Sequence, residues 1–178
     1  MAPRADALGM NALVLYDSRY GNTERIAETI ALALQEELPT RLAAVDDVED
    51  CAALIADADL VVVGGPTHRH GVSDPLRAAV ECLGARALDG VRAATFDTRL
   101  HGARVLTGSA AVRLGRLLRH RGAWLVVPPA SFLVDSGTGP LGAGELEHAH
   151  EWAQEVLLAA GLHPRRLAGT GAREGVTD

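Results

Sequence analysis

Six consecutive residues, Ser18-Arg19-Tyr20-Gly21-Asn22-Thr23, carry the densest chemistry in the chain. Gly21 lets a backbone approach an anion closely, and Ser18, Asn22 and Thr23 add side-chain donors. The stretch follows the apolar run Ala12-Leu13-Val14-Leu15-Tyr16 and precedes a pattern in which Ile26, Ile30 and Leu34 recur every four residues. The first reads as a buried strand and the second as an amphipathic helix. A strand that turns into a helix leaves backbone N–H groups without partners. Together with the positive end of the helix dipole, they make a phosphate site. The same letters also describe an ordinary N-cap, with Asn22 or Thr23 starting a helix that holds no ligand.

Two further stretches end apolar runs in the same way. Asp59-Leu60-Val61-Val62-Val63-Gly64-Gly65 is the clearest strand pattern in the protein, and Pro66-Thr67-His68-Arg69-His70-Gly71 follows it as a loop. Val91 to Phe96 reads as another strand, followed by Asp97-Thr98-Arg99 and on to Gly102. Other candidates carry less. Gly137-Thr138-Gly139-Pro140-Leu141-Gly142 satisfies G-x-G-x-x-G. No strand follows the succeeding helix to hold a ribose, however, and Pro140 removes an N–H, so the stretch reads as a Gly-rich connection. His68, His70 and His101 lack a carboxylate or thiolate set, and His148 and His150 point to different helix faces, so no metal site is expected. Cys51 and Cys82 lack metal-ligand spacing and read as reduced thiols. Neither sits in an anion loop with a following arginine, which excludes a cysteine phosphatase. The third strand ends in glycines where a phospho-acceptor aspartate would be required, which disfavours a receiver domain. No side chain presents itself as a catalytic acid or base.

The elements that must position these loops alternate along the chain. After the first helix, Arg41 to Val45 reads as a strand and Cys51 to Ala56 as a short helix. A helix begins at Asp74 with Pro75 in its first turn. Another runs from about Ser109 to His120. Trp124 to Val127 starts a fifth strand, which Pro128-Pro129 interrupts before Ser131 to Val134 resumes it. The last helix spans about Gly144 to Ala160. Five strands alternating with five helices predict an α/β, doubly wound, five-stranded parallel sheet in a single domain. Residues 1–10 read as a flexible leader, 11–160 as the domain and 161–178 as a flexible tail. Ligands of such sheets sit beyond the strand C-termini, where strand order reverses.

The string Ser18-Arg19-Tyr20-Gly21-Asn22-Thr23-Glu24 resembles the FMN-phosphate loop of flavodoxins, usually Ser/Thr-x-Thr-Gly-Asn-Thr-Glu. Gly64-Gly65-Pro66-Thr67-His68-Arg69-His70-Gly71 resembles the Gly-x-Pro-Thr-aromatic-x-Gly loop of flavodoxin-like quinone reductases and flavodiiron proteins, with His68 where Tyr or Trp is usual. The resemblance covers about residues 10 to 160 and implies strand order 2-1-3-4-5. FMN is the implied cofactor, with Ser18 to Thr23 around its phosphate. Pro66, Thr67, His68, Arg69, His70 and Gly71 would flank one side of the ring, and Phe96, Asp97, Thr98 and Arg99 the other. No tyrosine follows Tyr20, so the outer stacking residue common in flavodoxins is missing. The ring loops hold Arg69, Arg99 and His101 where the family is typically acidic. An electron carrier is the implied function. An NAD(P)H- or quinone-dependent FMN oxidoreductase, or an interaction domain that has lost the cofactor, is the alternative.

Composition agrees with this reading. The 178 residues carry a net charge of −6, with 48% apolar residues and a mean hydropathy of +0.09. An acidic chain argues against general nucleic-acid binding. No apolar run is long enough to cross a bilayer and no signal-peptide pattern precedes Leu13, so a cytoplasmic location without membrane contact is expected. The chain contains no lysine, which excludes Schiff-base chemistry and a phosphate-loop lysine. The expected partner is a redox protein, a reductase or an acceptor. An acidic or mixed docking face would suit the Arg69, Arg99 and His101 rim.

Overall fold

The computed structural model describes residues 10–67, 71–102 and 108–162. Strands β1 (Ala12–Tyr16), β2 (Thr40–Ala44), β3 (Leu60–Pro66) and β4 (Arg92–Leu100) pair in parallel in the order β2-β1-β3-β4. The edge beyond β4 is shared by β5 (Trp124–Leu125) and β6 (Ala130–Val134), both parallel to it. These are the two halves of the expected fifth strand. Pro128 and Pro129 cannot donate to a ladder, so pairing lapses between them. The sheet therefore has six strands in the 2-1-3-4-5 order.

Helices α1 (Asn22–Gln35) and α5 (Glu145–Ala159) cover one face, while α2 (Cys51–Ala56), α3 (Asp74–Glu81) and α4 (Ala110–His120) cover the other. Ile26, Ile30 and Leu34 are fully buried, each worth about 1.5–3 kcal/mol of hydrophobic stabilisation. On the same face Phe96, Phe132 and Trp152 meet edge to face, with centroids 6.0–6.2 Å apart. The two glycines ending β3 serve this packing. A methyl group on Gly64 would lie 2.2 Å from the Phe96 ring, and one on Gly65 would lie 2.5 Å from Leu76 Cδ1.

Three expectations are revised. The fourth strand runs to Leu100, so Asp97-Thr98-Arg99-Leu100 is strand rather than loop, because β3 flanks it as far as Thr98 and β6 as far as Leu100. The second strand starts one residue early, and Val45–Asp47 forms a short 3-10 turn. Met10 and Leu162, which the sequence places in the leader and the tail, are buried in the core. The rest of the expected leader (1–9) and tail (163–178) lies outside the described residues.

Candidate functional site

The strand order reverses between β1 and β3, and the loops leaving β1, β3 and β4 open onto one cleft of about 1570 Å³. A single small-ligand pocket is typically roughly 300–1,000 Å³, so this cleft has room for more than one zone of contact. It brings together Ser18, Arg19, Tyr20, Asn22 and Thr23 from the first loop, Pro66, Thr67 and Gly71 from the second, and Thr98, Arg99 and Leu100 from the third. His68, Arg69 and His70 lie outside the described residues.

The first loop is a cradle built by the backbone. Gly21 caps α1 in the left-handed region at φ +79° and ψ −10°, a conformation that costs an L-residue about 1–2 kcal/mol. Its carbonyl accepts from Arg25 N at 3.1 Å, and Ser18 Oγ accepts from Glu24 N at 3.2 Å. Among the described residues, the N–H groups of Arg19, Tyr20, Gly21, Asn22 and Thr23 have no protein acceptor. Orphan donors at a helix N-terminus suit a phosphate.

The side chains expected to donate to the ligand instead shape the loop. Thr23 is 2% exposed, and its hydroxyl lies 2.7 Å from that of Thr98 across the end of β4. Asn22 Nδ2 donates to the Thr138 carbonyl at 3.1 Å. Gly139 packs so closely that a methyl group there would meet Asn22 Nδ2 at 2.6 Å. The Gly137 to Gly142 stretch is thus more than a connection. It folds back through Asp135 N to Pro140 O and Gly142 N to Leu133 O, and holds Asn22 in place. Below the loop, Tyr16 Oη donates to Glu24 Oε1 at 3.1 Å. Burial, followed by the hydrogen bond to the Glu24 carboxylate, pushes the Tyr16 phenol up to about 12.

The ring-side residues divide in two. Phe96 and Asp97 were expected beside the ring, but both are fully buried and away from the cleft. Strand alternation turns Phe96 into the α1/α5 core and Asp97 toward α4. Asp97 Oδ2 accepts from Thr67 Oγ1 at 3.0 Å, Ser109 Oγ at 2.6 Å and Ala111 N at 3.0 Å. Thr67 Oγ1 in turn accepts from Ala110 N at 2.8 Å. A buried carboxylate at the N-terminus of α4 therefore ties the loop leaving β3 to the segment entering that helix. The negative charge also complements the helix dipole.

Thr98 and Arg99 do reach the cleft. Arg99 Nη1 donates to the Gly102 carbonyl at 2.8 Å, which fixes its guanidinium along the rim. Leu100 is a residue that the motif comparison missed. It is 46% exposed and lines the cleft, as does Tyr20 at 57%. Its only signal in the sequence is one apolar side chain among Arg99, His101 and Gly102. The described His101 lies 3.6 Å from Asp135. No cluster of potential metal ligands occurs among the described residues.

Fold and site define a doubly wound α/β protein with an anion cradle at its topological switch point. A flavodoxin family model matches residues 14–106, more than half of the chain. The chain is similar in structure to oxidised Flavodoxin 1 from Bacillus cereus, at 20% identity and a TM-score of 0.70 over 83% of this chain and 97% of that one. It is also similar to the WrbA-like flavodoxin from Agrobacterium tumefaciens, at 23% identity and a TM-score of 0.66 over 87% and 100%. Rubredoxin:oxygen oxidoreductase from Desulfovibrio gigas matches at 21% identity and a TM-score of 0.69, over 85% of this chain and 36% of that longer one. The chain belongs to the flavodoxin family of FMN-binding electron-transfer proteins.

Proposed function

We propose that this protein is a cytosolic electron carrier whose FMN phosphate sits against the backbone N–H groups of Arg19 to Thr23. The observation that carries this reading is the row of orphan donors above α1, at the switch point of the sheet. Ser18, Asn22 and Thr23 hold the cradle's shape, and Gly21 supplies its turn. Pro66, Thr67 and Gly71 form one side of the ring site, and Thr98 and Arg99 with Leu100 form the other. When bound, FMN supplies the redox chemistry. The chain binds it, orients it through the Asp97 latch, and leaves the rim open to a second protein. Its partner is a redox protein, a reductase or an acceptor.

Titrating apoprotein with FMN and with riboflavin tests the reading. The Asn22→Ala/Thr23→Ala variant should lose roughly 10- to 100-fold in FMN affinity, as expected for about 1–3 kcal/mol of disturbed hydrogen bonding, and far less for riboflavin. Equal loss for both ligands would reduce the loop to a helix cap. Rapid NADPH or quinone turnover by the loaded protein would make it an oxidoreductase instead.

A further inference from the structure

The cleft does not stop at the ring site. It continues into a groove between the start of α3 and the exposed face of α4, lined by Arg77, Arg113, Arg116 and His120. The last three are spaced i, i+3 and i+7, which places them in one stripe along a helix. Thr67 and Gly71 line the same cleft as these cations. Gly71 is buried against Arg113, close enough that a methyl group on it would lie 3.3 Å from Nη1. Arg77 shares its charge with Asp74. Arg113 and Arg116 form no ion pair among the described residues. Among the described residues lining the cleft, five arginines (19, 77, 99, 113 and 116) face three aspartates (17, 46 and 74), in a chain whose net charge is −6.

We propose that this groove is the docking surface for an acidic protein partner, one that carries a carboxylate cluster beside its own redox centre. The proposal rests on the carrier reading above and names the chemistry of the partner. Two features favour a protein over a small anion. The cations are spread along a helix face instead of converging on one point, and all four lining side chains are exposed. A local field of this sign steers an acidic partner to the cofactor edge even though the molecule as a whole repels it. The cleft's excess of arginine over aspartate supplies that field.

The test uses an acidic plant-type [2Fe–2S] ferredoxin as the probe. Calorimetric titration of both FMN-loaded protein and apoprotein should show binding that weakens about tenfold or more when salt rises from about 0.02 to about 0.2 M. Arg113→Glu/Arg116→Glu should abolish it, whereas Arg119→Glu, an exposed residue of the same helix outside the cleft, should leave it intact. In a parallel arm, photoreduced protein is mixed with ferricyanide. One electron leaves the reduced cofactor and converts ferric to ferrous iron, and the rate reads the field at the rim. Because the apoprotein arm needs no cofactor, failure to bind FMN would be seen apart from failure of the groove. Unaltered ferredoxin binding by the double variant, equal loss in Arg119→Glu, or no binding by wild type would each overturn the proposal. A response confined to ferricyanide would make the groove a small-anion site and overturn it as well.

Discussion

Replacing Asp97 by asparagine should cost far more than its conservative appearance suggests. The wild-type carboxylate is fully buried and accepts three hydrogen bonds on Oδ2, from Thr67, Ser109 and Ala111. Bonds to a charged acceptor contribute about 1.5–3 kcal/mol each and neutral ones about 0.5–1.5, so neutralising the acceptor removes on the order of 1 kcal/mol per bond. The helix dipole at the start of α4 adds roughly 0.3–1 kcal/mol to the loss. Oδ1 has no partner, so an amide group placed there leaves two buried N–H donors unsatisfied, at about 1–3 kcal/mol. Opposing this, removing a buried charge recovers part of its desolvation cost. The net expectation is a destabilisation of about 3 kcal/mol, read as a fall in the urea midpoint with unchanged slope. A double-mutant cycle with Thr67→Val should show coupling of about 1 kcal/mol or more, since the two side chains share one bond. A midpoint within about 0.5 kcal/mol of wild type would refute the latch.

The remaining expectations concern the loop and its surroundings. Gly139→Ala places a methyl group 2.6 Å from Asn22 Nδ2 at a residue with φ +104°. It should therefore weaken FMN at least tenfold while sparing riboflavin, and unchanged FMN affinity would release the Gly137 to Gly142 loop from any role in the cradle. The Tyr16 phenol, pushed up to about 12 against about 10 in the unfolded chain, favours the protonated form when folded. Its contribution is complete below about pH 10 and is lost as pH rises toward 12, on the order of 1–3 kcal/mol; Tyr16→Phe should flatten that alkaline decline in unfolding free energy. Arg99 is held on the cleft rim by its bond to Gly102, so removing its charge by Arg99→Ala should lower the potential of the bound cofactor, because a nearby cation favours added electrons. A potentiometric titration showing no decrease would mean that the guanidinium does not act on the ring.

The sequence by itself determined the elements whose signal is local. The apolar runs at Ala12–Tyr16 and Leu60–Val63 and the four-residue recurrence of Ile26, Ile30 and Leu34 report burial through neighbours a few positions away, so strand, loop and helix follow in order. Gly21 and the orphan donors above α1 were legible for the same reason, as were the order of elements and the doubly wound sheet. Tertiary structure decided whatever depends on residues distant in the chain. Asp97 to Leu100 become strand because β6 pairs with all four and β3 with Asp97 and Thr98, a ladder that no local pattern announces. The pleat then sends Asp97 into a buried hydrogen-bond network instead of toward the ring. Asn22 and Thr138 are 116 positions apart, and the letters G-x-G-x-x-G carry no trace of that contact. Arg113, Arg116 and His120 drew no notice as part of the Ser109 to His120 helix, and only the fold sets them with Arg77 and Gly71 on the wall of one cleft. Side-chain period tells which face of an element is buried; which elements share a cleft is fixed by strand order and pairing across the whole sheet.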